Sequence, residues 1–293
     1  MNRQETRQAR EMPKMAECVG FTSHKGGTGK TTSCLSIAGY LAKSGSKVLV
    51  VDFDPQANAT SGLGIDMRTP QHSMCDVVLG QCNGYEGVPI TQVILETDVE
   101  NLHIAPSELD LAVAEAAMQS AKGRSGILNG ILGKVRPFYD YILIDVPSNS
   151  GLLMINGLSA SDQVVVPLDP SIFSLEAVDK MKAYLHDVKC MAGHSINQIT
   201  WVLIRYANPG VFSRILRKHN PSQEVEERLR TMAETVFTVP DSVEIYGTQQ
   251  QGVPISHYAP ESKVGKAYAK IAESISTNTE KKQDSVDSSE GEG

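Results

Sequence analysis

The sequence predicts an α/β fold in which a mostly parallel, twisted sheet carries helices on both of its faces. Short β-type segments alternate with longer amphipathic segments along most of the 293 residues, and the links between them are short. Several β-type segments are apolar at consecutive positions, which is typical of parallel strands covered on both sides. A glycine-rich loop lies between the first predicted strand and the first predicted helix, where a parallel sheet can present a helix N-terminus to a phosphate.

The predicted elements follow one another along the chain as strand, helix, strand. Strands are expected where apolar and β-branched residues cluster, at 18–22, 48–51, 102–105, 141–144, 163–167, 201–204 and 235–238. Helices are expected where apolar residues recur at helical spacing, at 30–43, 107–121, 152–159, 175–191, 211–217, 224–234 and 263–274. Gly45 fits the C-cap of the first helix, and Pro240 closes the last strand.

Composition places the chain among ordinary globular proteins. Hydrophobic residues make up 41% and charged residues 21%, which excludes collagen-like and wholly disordered chains. We expect one domain over 17–277, a flexible N-terminal arm over 1–16, and an acidic, disordered tail over 278–293 that is too poor in apolar groups to pack. The five cysteines form no C-x-x-C pair, and neither a signal peptide nor a membrane span is found, so a cytoplasmic protein is expected.

The most informative segment is the loop over residues 23–32, which reads Ser-His-Lys-Gly-Gly-Thr-Gly-Lys-Thr-Thr. Glycines let the backbone curl so that successive N–H groups point at phosphate oxygens, and the following helix adds its positive dipole end. This pattern predicts that Lys30 reaches the β- and γ-phosphates and that the Thr31 hydroxyl ligates Mg²⁺. The general phosphate-loop pattern has glycine where this chain has His24, and a second lysine, Lys25, follows. Because Lys25 is redundant for one phosphate chain, it could serve a nucleotide on another subunit.

Aspartates stand at the ends of two predicted strands. Asp52 and Asp54 follow the second strand, and strand periodicity places both on one side. Asp54 stands where Pro55 ends the strand, and a carboxylate there could hold an attacking water and touch the shell of a Mg²⁺ ion. Asp52 is interpreted as a residue that caps or orients the loop. Asp145 ends the apolar run that begins at residue 141, as a Walker B acid that holds Mg²⁺ does.

Three segments stand out when they are taken together. They are Lys-Gly-Gly-Thr-Gly-Lys-Thr-Thr over 25–32, Val-Asp-Phe-Asp-Pro-Gln-Ala-Asn-Ala-Thr-Ser-Gly-Leu-Gly over 51–64, and Ile-Leu-Ile-Asp-Val-Pro over 142–147. The chain thereby resembles the deviant Walker A ATPases of the ParA/Soj/MinD family, most closely the short ParA proteins of the Soj type. The similarity covers most of residues 17–277 and implies a P-loop NTPase fold and a slow, Mg²⁺-dependent ATP hydrolase.

The resemblance also implies ligands and a role for each matching residue. ATP would close two copies into a homodimer, with Lys25 contacting the ATP of the partner, Lys30 holding the phosphates and Asp54 positioning the lytic water. Expected nucleotide contacts are Lys25, Gly26, Gly27, Thr28, Gly29, Lys30, Thr31, Thr32, Asn58, Pro240 and Asp241, and expected Mg²⁺ contacts are Thr31, Asp54 and Asp145. The chain departs from the family at Thr28, where valine is usual, and at Asp241, where an asparagine usually stands at or next to that position.

Other branches of the family match the chain less well. An iron–sulfur cluster needs paired cysteines from each subunit, whereas Cys75 and Cys82 lie in a segment without a second pair, so no cluster is expected. A membrane-binding branch ends in a basic amphipathic helix, whereas residues 280–293 are acidic, so no membrane recruitment is expected. Positioning of a flagellar, chemoreceptor or microcompartment cargo stays open. A function of a different class, that of a small-molecule ATP-dependent kinase or synthetase, also stays open.

Basic residues gather in the last third of the chain, although the net charge is −7. An acidic protein meets nucleic acid through a local patch, and a dimer doubles such a patch. The region includes Arg205, Arg228 and Arg230, and contacts to DNA phosphates are expected from Arg214, Arg217, Lys218, Lys263, Lys266 and Lys270. The expected function is segregation of plasmid or chromosome DNA at the nucleoid. An ATP-bound homodimer would bind double-stranded DNA without sequence preference and would hydrolyse ATP with a ParB-like adaptor.

Overall fold

A computed structural model describes residues 15–23, 25–66, 68, 71–193, 196–206 and 221–290. Its strands are β1 (Glu17–Phe21), β2 (Val48–Asp52), β3 (Leu95–Glu96), β4 (Leu102–Ala105), β5 (Tyr141–Asp145), β6 (Gln163–Leu168), β7 (Gln198–Tyr206) and β8 (Thr235–Pro240). These eight strands form one sheet in the order β3-β4-β2-β5-β1-β6-β7-β8. β3 runs antiparallel to β4 and the other pairs are parallel, so the predicted mostly parallel sheet is confirmed.

Helices connect these strands. In the described part of the chain they are α1 (Lys30–Lys43), α2 (Asn58–Gly62), α3 (Met74–Leu79), α4 (Leu111–Met118), α5 (Ile127–Leu132), α6 (Leu152–Ser159), α7 (Ile172–Ala192), α8 (Pro221–Met232), α9 (Glu244–Gln251), α10 (Ile255–Tyr258) and α11 (Lys263–Glu290). Short 3₁₀ turns lie at Ile90–Gln92 and Arg136–Phe138. No helix among the described residues combines the length and the apolar composition that crossing a bilayer requires.

The sheet separates two apolar layers. One layer packs α1, α10 and α11 against the sheet, for example through Ile37 and Ile271. The other packs helices α3 to α8 against the opposite face, for example through Leu153 and Leu229. All residues of β1, β2, β5 and β6 are buried. These strands are therefore apolar at nearly every position, which is the pattern that made them predictable.

The two cysteines that were compared with iron–sulfur cluster ligands lie in the core. Cys75 and Cys82 are buried, and their S–H groups donate to the carbonyl oxygens of Asp110 at 3.3 Å and Val78 at 3.5 Å. Both side chains pack in the layer that holds α3. Each thiol thus has a packing role and a backbone partner in this structure.

The last helix is longer than the prediction, which placed it over 263–274. α11 continues to Glu290, while the division into a domain over 17–277 and a disordered tail over 278–293 stays a prediction. Thr279 is buried, and its hydroxyl donates to the carbonyl oxygen of Ile275 at 2.9 Å. The packed part of the helix therefore passes the expected end of the helix, and a helix that has already formed extends at little cost. The helix predicted over 211–217 and residues 1–14 of the predicted arm lie outside the described residues.

Candidate functional site

Neighbouring parallel strands bring the motifs of the sequence to one edge of the sheet. β5 lies between β1 and β2, and its Asp145 is in register with Phe21 at the end of β1 and with Asp52 at the end of β2. The loop that follows β1 and the acidic residues that follow β2 and β5 therefore meet at the carboxyl ends of the strands. Ligands of open α/β sheets bind at this edge.

The glycine-rich loop between β1 and α1 has a backbone that few other residues could adopt. Gly27 and Gly29 have φ angles of +76° and +72°, in the left-handed region that favours glycine. Two hydroxyls fix the first turn, because Ser23 Oγ and Thr28 Oγ1 donate to the carbonyl oxygen of Lys25 at 2.9 and 3.1 Å. Thr28 is buried, so its side chain anchors the loop, and the predicted nucleotide contact at this position is left to the backbone.

The two lysines of the loop have opposite environments. Lys30 is buried, and its Nζ lies 3.9 Å from Oδ2 of Asp54. Lys25 is exposed and forms no ion pair with any described residue. Lys30 lines the cavity described below, whereas Lys25 does not.

Asp145 is a fully buried carboxylate at this edge. Its Oδ2 accepts a hydrogen bond of 2.6 Å from Oγ1 of Thr31, and its Oδ1 is buried without a partner. Burial raises the pKa of Asp145 to about 6, although the Lys30 ammonium and the Thr31 hydroxyl lower it. An ionised carboxylate with one vacant buried oxygen is an incomplete polar site that a cation can complete.

Both carboxylate oxygens of Asp52 accept hydrogen bonds from the segment that follows β2. Its Oδ2 accepts from the Thr60 amide at 2.8 Å and the Thr60 hydroxyl at 2.7 Å, and its Oδ1 accepts from the Asp54 amide at 3.3 Å. Burial, together with the negative charge of Asp145, raises the pKa of Asp52 to about 7, although the hydrogen bonds from Thr60 and Asp54 lower it. The interpretation of Asp52 as a residue that orients the loop after β2 is confirmed by these contacts.

The site carries the excess negative charge that a divalent cation requires. Asp54 lies 3.9 Å from the buried Lys30 ammonium, and this ammonium also lowers the pKa of Asp145. Asp52 is a third buried carboxyl group, next to Asp145. No group of three or more His, Cys, Asp or Glu side chains that could hold a metal ion occurs in the described part of the chain. A Mg²⁺ ion held by these residues would therefore keep several ligands for water and phosphate oxygens, which is its usual coordination in phosphate chemistry. The residues fit Mg²⁺.

A cavity of about 640 Å³ opens beside the loop. Of the predicted nucleotide contacts, eight line it, and these are Gly27, Gly29, Lys30, Thr31, Thr32, Asn58, Pro240 and Asp241. Lys25, Gly26, Thr28, Asp54 and Asp145 are not among its lining residues. The volume is that of an ordinary small-molecule site.

Much of the far wall of the cavity was not predicted from the sequence. This wall is formed by residues of β7, α9, α10 and α11, among them Arg205, Ile245, Ile255, Val264 and Tyr268. Tyr268 is fully buried and its hydroxyl lies 3.1 Å from that of Ser33 in α1. These residues belong to apolar helical patterns or to a basic cluster, and no local motif marks them as cavity residues.

The predicted basic region separates into parts with different environments. Lys263, Lys266 and Lys270 are all exposed on α11, and Lys266 pairs with Glu261 at 3.1 Å. On α8, Arg228 and Arg230 each pair with a glutamate four residues earlier. Arg214, Arg217 and Lys218 lie outside the described residues.

A glycine-rich loop that begins a helix, a buried lysine, and a vacant buried carboxylate on the adjoining strand define a P-loop nucleotide hydrolase that uses Mg²⁺. The family model described as "AAA domain" matches residues 16–198. The sporulation initiation inhibitor protein Soj of Bacillus subtilis is 33% identical over 268 residues, covering 90% of this chain and 100% of that protein. The chromosome-partitioning ATPase Soj of Treponema pallidum is 32% identical over 265 residues, covering 89% and 97%.

A solved structure extends the comparison to bound ligands. Cobyrinic acid a,c-diamide synthase from Mycobacterium smegmatis, with bound ADP and magnesium, superposes with a TM-score of 0.71 at 27% identity, over 89% of this chain and 94% of that one. The chain belongs to the ParA/MinD family of partitioning ATPases. It is an ATP hydrolase that uses ATP as its substrate and Mg²⁺ as its metal cofactor.

Proposed function

We propose that this ATPase segregates plasmid or chromosome DNA. In this proposal, ATP closes two copies into a homodimer, the dimer binds double-stranded DNA of the nucleoid without sequence preference, and a ParB-like adaptor stimulates hydrolysis and so triggers release. The name of the Treponema pallidum relative supports chromosome partitioning as the process. The observation that carries the proposal is the opposite placement of the two lysines in the phosphate loop.

Lys30 and Lys25 can serve nucleotides in different chains. Lys30 is buried against Asp54 and lines the cavity, so it serves the nucleotide bound in its own chain. Lys25 is exposed at the mouth of the loop, where its charge is available to the γ-phosphate of the ATP bound in a second copy of the chain. ADP lacks this phosphate, and only ATP should therefore favour the dimer.

Hydrolysis is assigned to residues at the strand ends. Thr31, Asp54 and Asp145 would hold Mg²⁺, which when bound neutralises charge on the β- and γ-phosphates. One oxygen of Asp54 accepts from the Gln56 amide at 3.0 Å, and the other faces Lys30. When the Lys30 ammonium turns to the phosphates, the second oxygen becomes available to orient an attacking water.

Helix α11 connects the nucleotide cavity to a basic surface. Val264 and Tyr268 line the cavity, while Lys263, Lys266 and Lys270 project from the exposed face of the same helix. We assign these lysines, with Arg214, Arg217 and Lys218, to contacts with DNA phosphates. Such contacts bind any sequence, because phosphates position a protein without reporting base identity.

Size measurement with ATP and with ADP tests the dimer. The parent should dimerise with ATP and stay monomeric with ADP, while Lys25→Ala should still bind nucleotide as a monomer and lose the dimer. Lys134→Ala is the matched control, because Lys134 is exposed and follows a helix on the opposite face of the sheet. Dimerisation of Lys25→Ala to the level of the parent would exclude contact in trans.

A salt series on two unrelated duplexes tests DNA binding. If about 4–6 phosphates are neutralised per dimer, log K should fall against log salt with a slope of about −4 to −5 on both duplexes. The double variant Lys263→Glu, Lys270→Glu leaves the Lys266–Glu261 pair intact and should bind both duplexes more weakly, by the same factor. Lys134→Glu should bind as the parent does. Strong preference for one duplex, or binding insensitive to salt, would refute the proposal.

The synthase superposition supports one alternative, a small-molecule ATP-dependent ligase. The two functions differ in what stimulates ATP turnover. A segregation ATPase should turn over slowly alone and faster with DNA and the adaptor, whereas a ligase should respond to a small acceptor and ignore DNA. ATP turnover with and without duplex DNA therefore separates the two.

A further inference from the structure

The end of β7 approaches the phosphate loop with an unusual backbone. Arg205 has a φ angle of +51°, in the left-handed region that is unfavourable for a non-glycine residue. The register between β7 and β8 shifts between Leu203 and Tyr206. Such irregularities redirect side chains and occur next to functional sites. As a result, Ile204 and Arg205 both line the cavity, although they are consecutive residues of one strand.

The redirected guanidinium joins two elements of the site. Nε of Arg205 donates to Oδ1 of Asp169 at 3.0 Å, and the same carboxylate oxygen accepts from Nη2. Nη2 also donates to the carbonyl oxygen of Gly27 at 3.3 Å. Asp169 directly follows β6, so the guanidinium lies between the end of one strand and the outer turn of the phosphate loop.

This contact fixes the part of the loop that its own hydroxyls do not reach. Ser23 and Thr28 hold the carbonyl of Lys25, whereas Gly26 and Gly27 have no heavy atom within 4 Å of the position that a Cβ would occupy. Glycines in open space lose much conformational entropy when they are ordered. A charged donor already oriented by a carboxylate reduces that loss before any phosphate arrives.

We propose that Arg205 and Asp169 are positioning residues that hold the Gly27 turn of the phosphate loop in its nucleotide-binding conformation. The pair acts through the loop, on phosphates common to ATP and ADP. The inference rests on the nucleotide site proposed above. It adds to that site a specific determinant of affinity at the end of β7.

Arg205→Gly is the most direct test, because glycine adopts the same backbone without strain and removes only the side chain. Affinities for ADP and for ATP, measured with Mg²⁺ by calorimetry, should both fall about tenfold, the effect of one hydrogen bond to a charged group. Arg205→Lys keeps the charge but not the planar fork and should recover part of the loss. Asp169→Asn, which leaves the guanidinium less firmly oriented, should bind more weakly than the parent.

Arg230→Ala is the matched control. Arg205 and Arg230 are each 51% exposed in their side chains and each pair with one carboxylate, but Arg230 lies on α8, away from the cavity. The control should bind nucleotides as the parent does. Without nucleotide, Arg205→Gly should unfold at or above the melting temperature of the parent, because the backbone strain at this position is relieved. In steady-state hydrolysis, Arg205→Gly should lower kcat/KM by raising KM while kcat stays unchanged.

The outcomes separate this inference from the site itself. A parent that binds no ATP would refute the nucleotide site. A parent that binds, with Arg205→Gly binding equally well, would refute only the positioning pair. A weaker affinity accompanied by a lower unfolding temperature without nucleotide would also refute it, because the arginine would then serve general stability.

Discussion

Replacing Thr31 by valine isolates the hydrogen bond between the phosphate loop and β5. Valine has nearly the shape of threonine, so packing is preserved while the 2.6 Å donor to Asp145 Oδ2 is lost. The other oxygen of Asp145 already lacks a partner, so the variant leaves a fully buried carboxylate without its described side-chain donor. A hydrogen bond to a charged group contributes about 1.5–3 kcal/mol. At roughly 2–4 °C per kcal/mol in a large domain, the melting temperature should fall by about 3–12 °C.

The assay is thermal unfolding without nucleotide, in the presence of a chelator that removes Mg²⁺, at pH 8 and at pH 5. Because burial raises the pKa of Asp145 to about 6, the carboxylate is ionised at pH 8 and largely protonated at pH 5. The loss in Thr31→Val should therefore be larger at pH 8. Thr31→Ser keeps the hydroxyl and is the control, and only Thr31→Val should lose Mg²⁺-dependent tightening of ADP binding. Equal behaviour of the two variants at both pH values would refute the reasoning.

Three further predictions concern hydrolysis, pH and packing. Asp54→Ala should bind ATP but hydrolyse it about a hundredfold more slowly, trapping the dimer, because the lost carboxylate acts on the water; single-turnover kinetics unchanged from the parent would contradict the assignment. The folded-state pKa of Asp145 is raised from 3.8 to about 6, so the native state holds more protons across this interval and the nucleotide-free protein should lose stability as pH rises through it. Affinity for Mg²⁺–ADP should rise over the same interval, because the ligand must be deprotonated; opposite trends in melting temperature or in calorimetric titrations would reverse the argument. In Gly157→Ala the new Cβ would lie 2.0 Å from Cγ1 of Val146, so denaturant unfolding should show a loss of about 1–3 kcal/mol, whereas Gly130→Ala, which meets nothing within 4 Å, should be neutral or stabilising.

The elements that could be predicted are those that leave a recognisable pattern within one short stretch of sequence. β1, β2, β5 and β6 are buried on both faces, and this burial appears in the sequence as uninterrupted apolar runs. The phosphate loop is likewise specified by adjacent glycines and lysines. β3, with two residues, and α10, with four, are too short to show any periodicity.

The site residues that were missed depend on contacts between distant parts of the chain. Arg205 reaches Gly27 across 178 positions, and only the irregularity of β7 turns it into the cavity. In the sequence it looked like one member of a basic cluster. The paired glutamates of Arg228 and Arg230 were visible at helical spacing, but spacing alone does not show which arginines are left to bind a ligand.

The position of Tyr268 has a consequence for how the chain is made. Its hydroxyl meets Ser33 across 235 positions, and β1 pairs with β5 and β6 rather than with its neighbours in the chain. A nascent chain therefore exposes the complete phosphate-loop sequence long before the strands and helices that shape the cavity leave the ribosome. Until β5 and β6 have emerged, both edges of β1 are unpaired, and early chains are vulnerable to association through them. A chain cut short before residue 263 would keep the loop sequence but would lose the part of the cavity wall that Val264 and Tyr268 form.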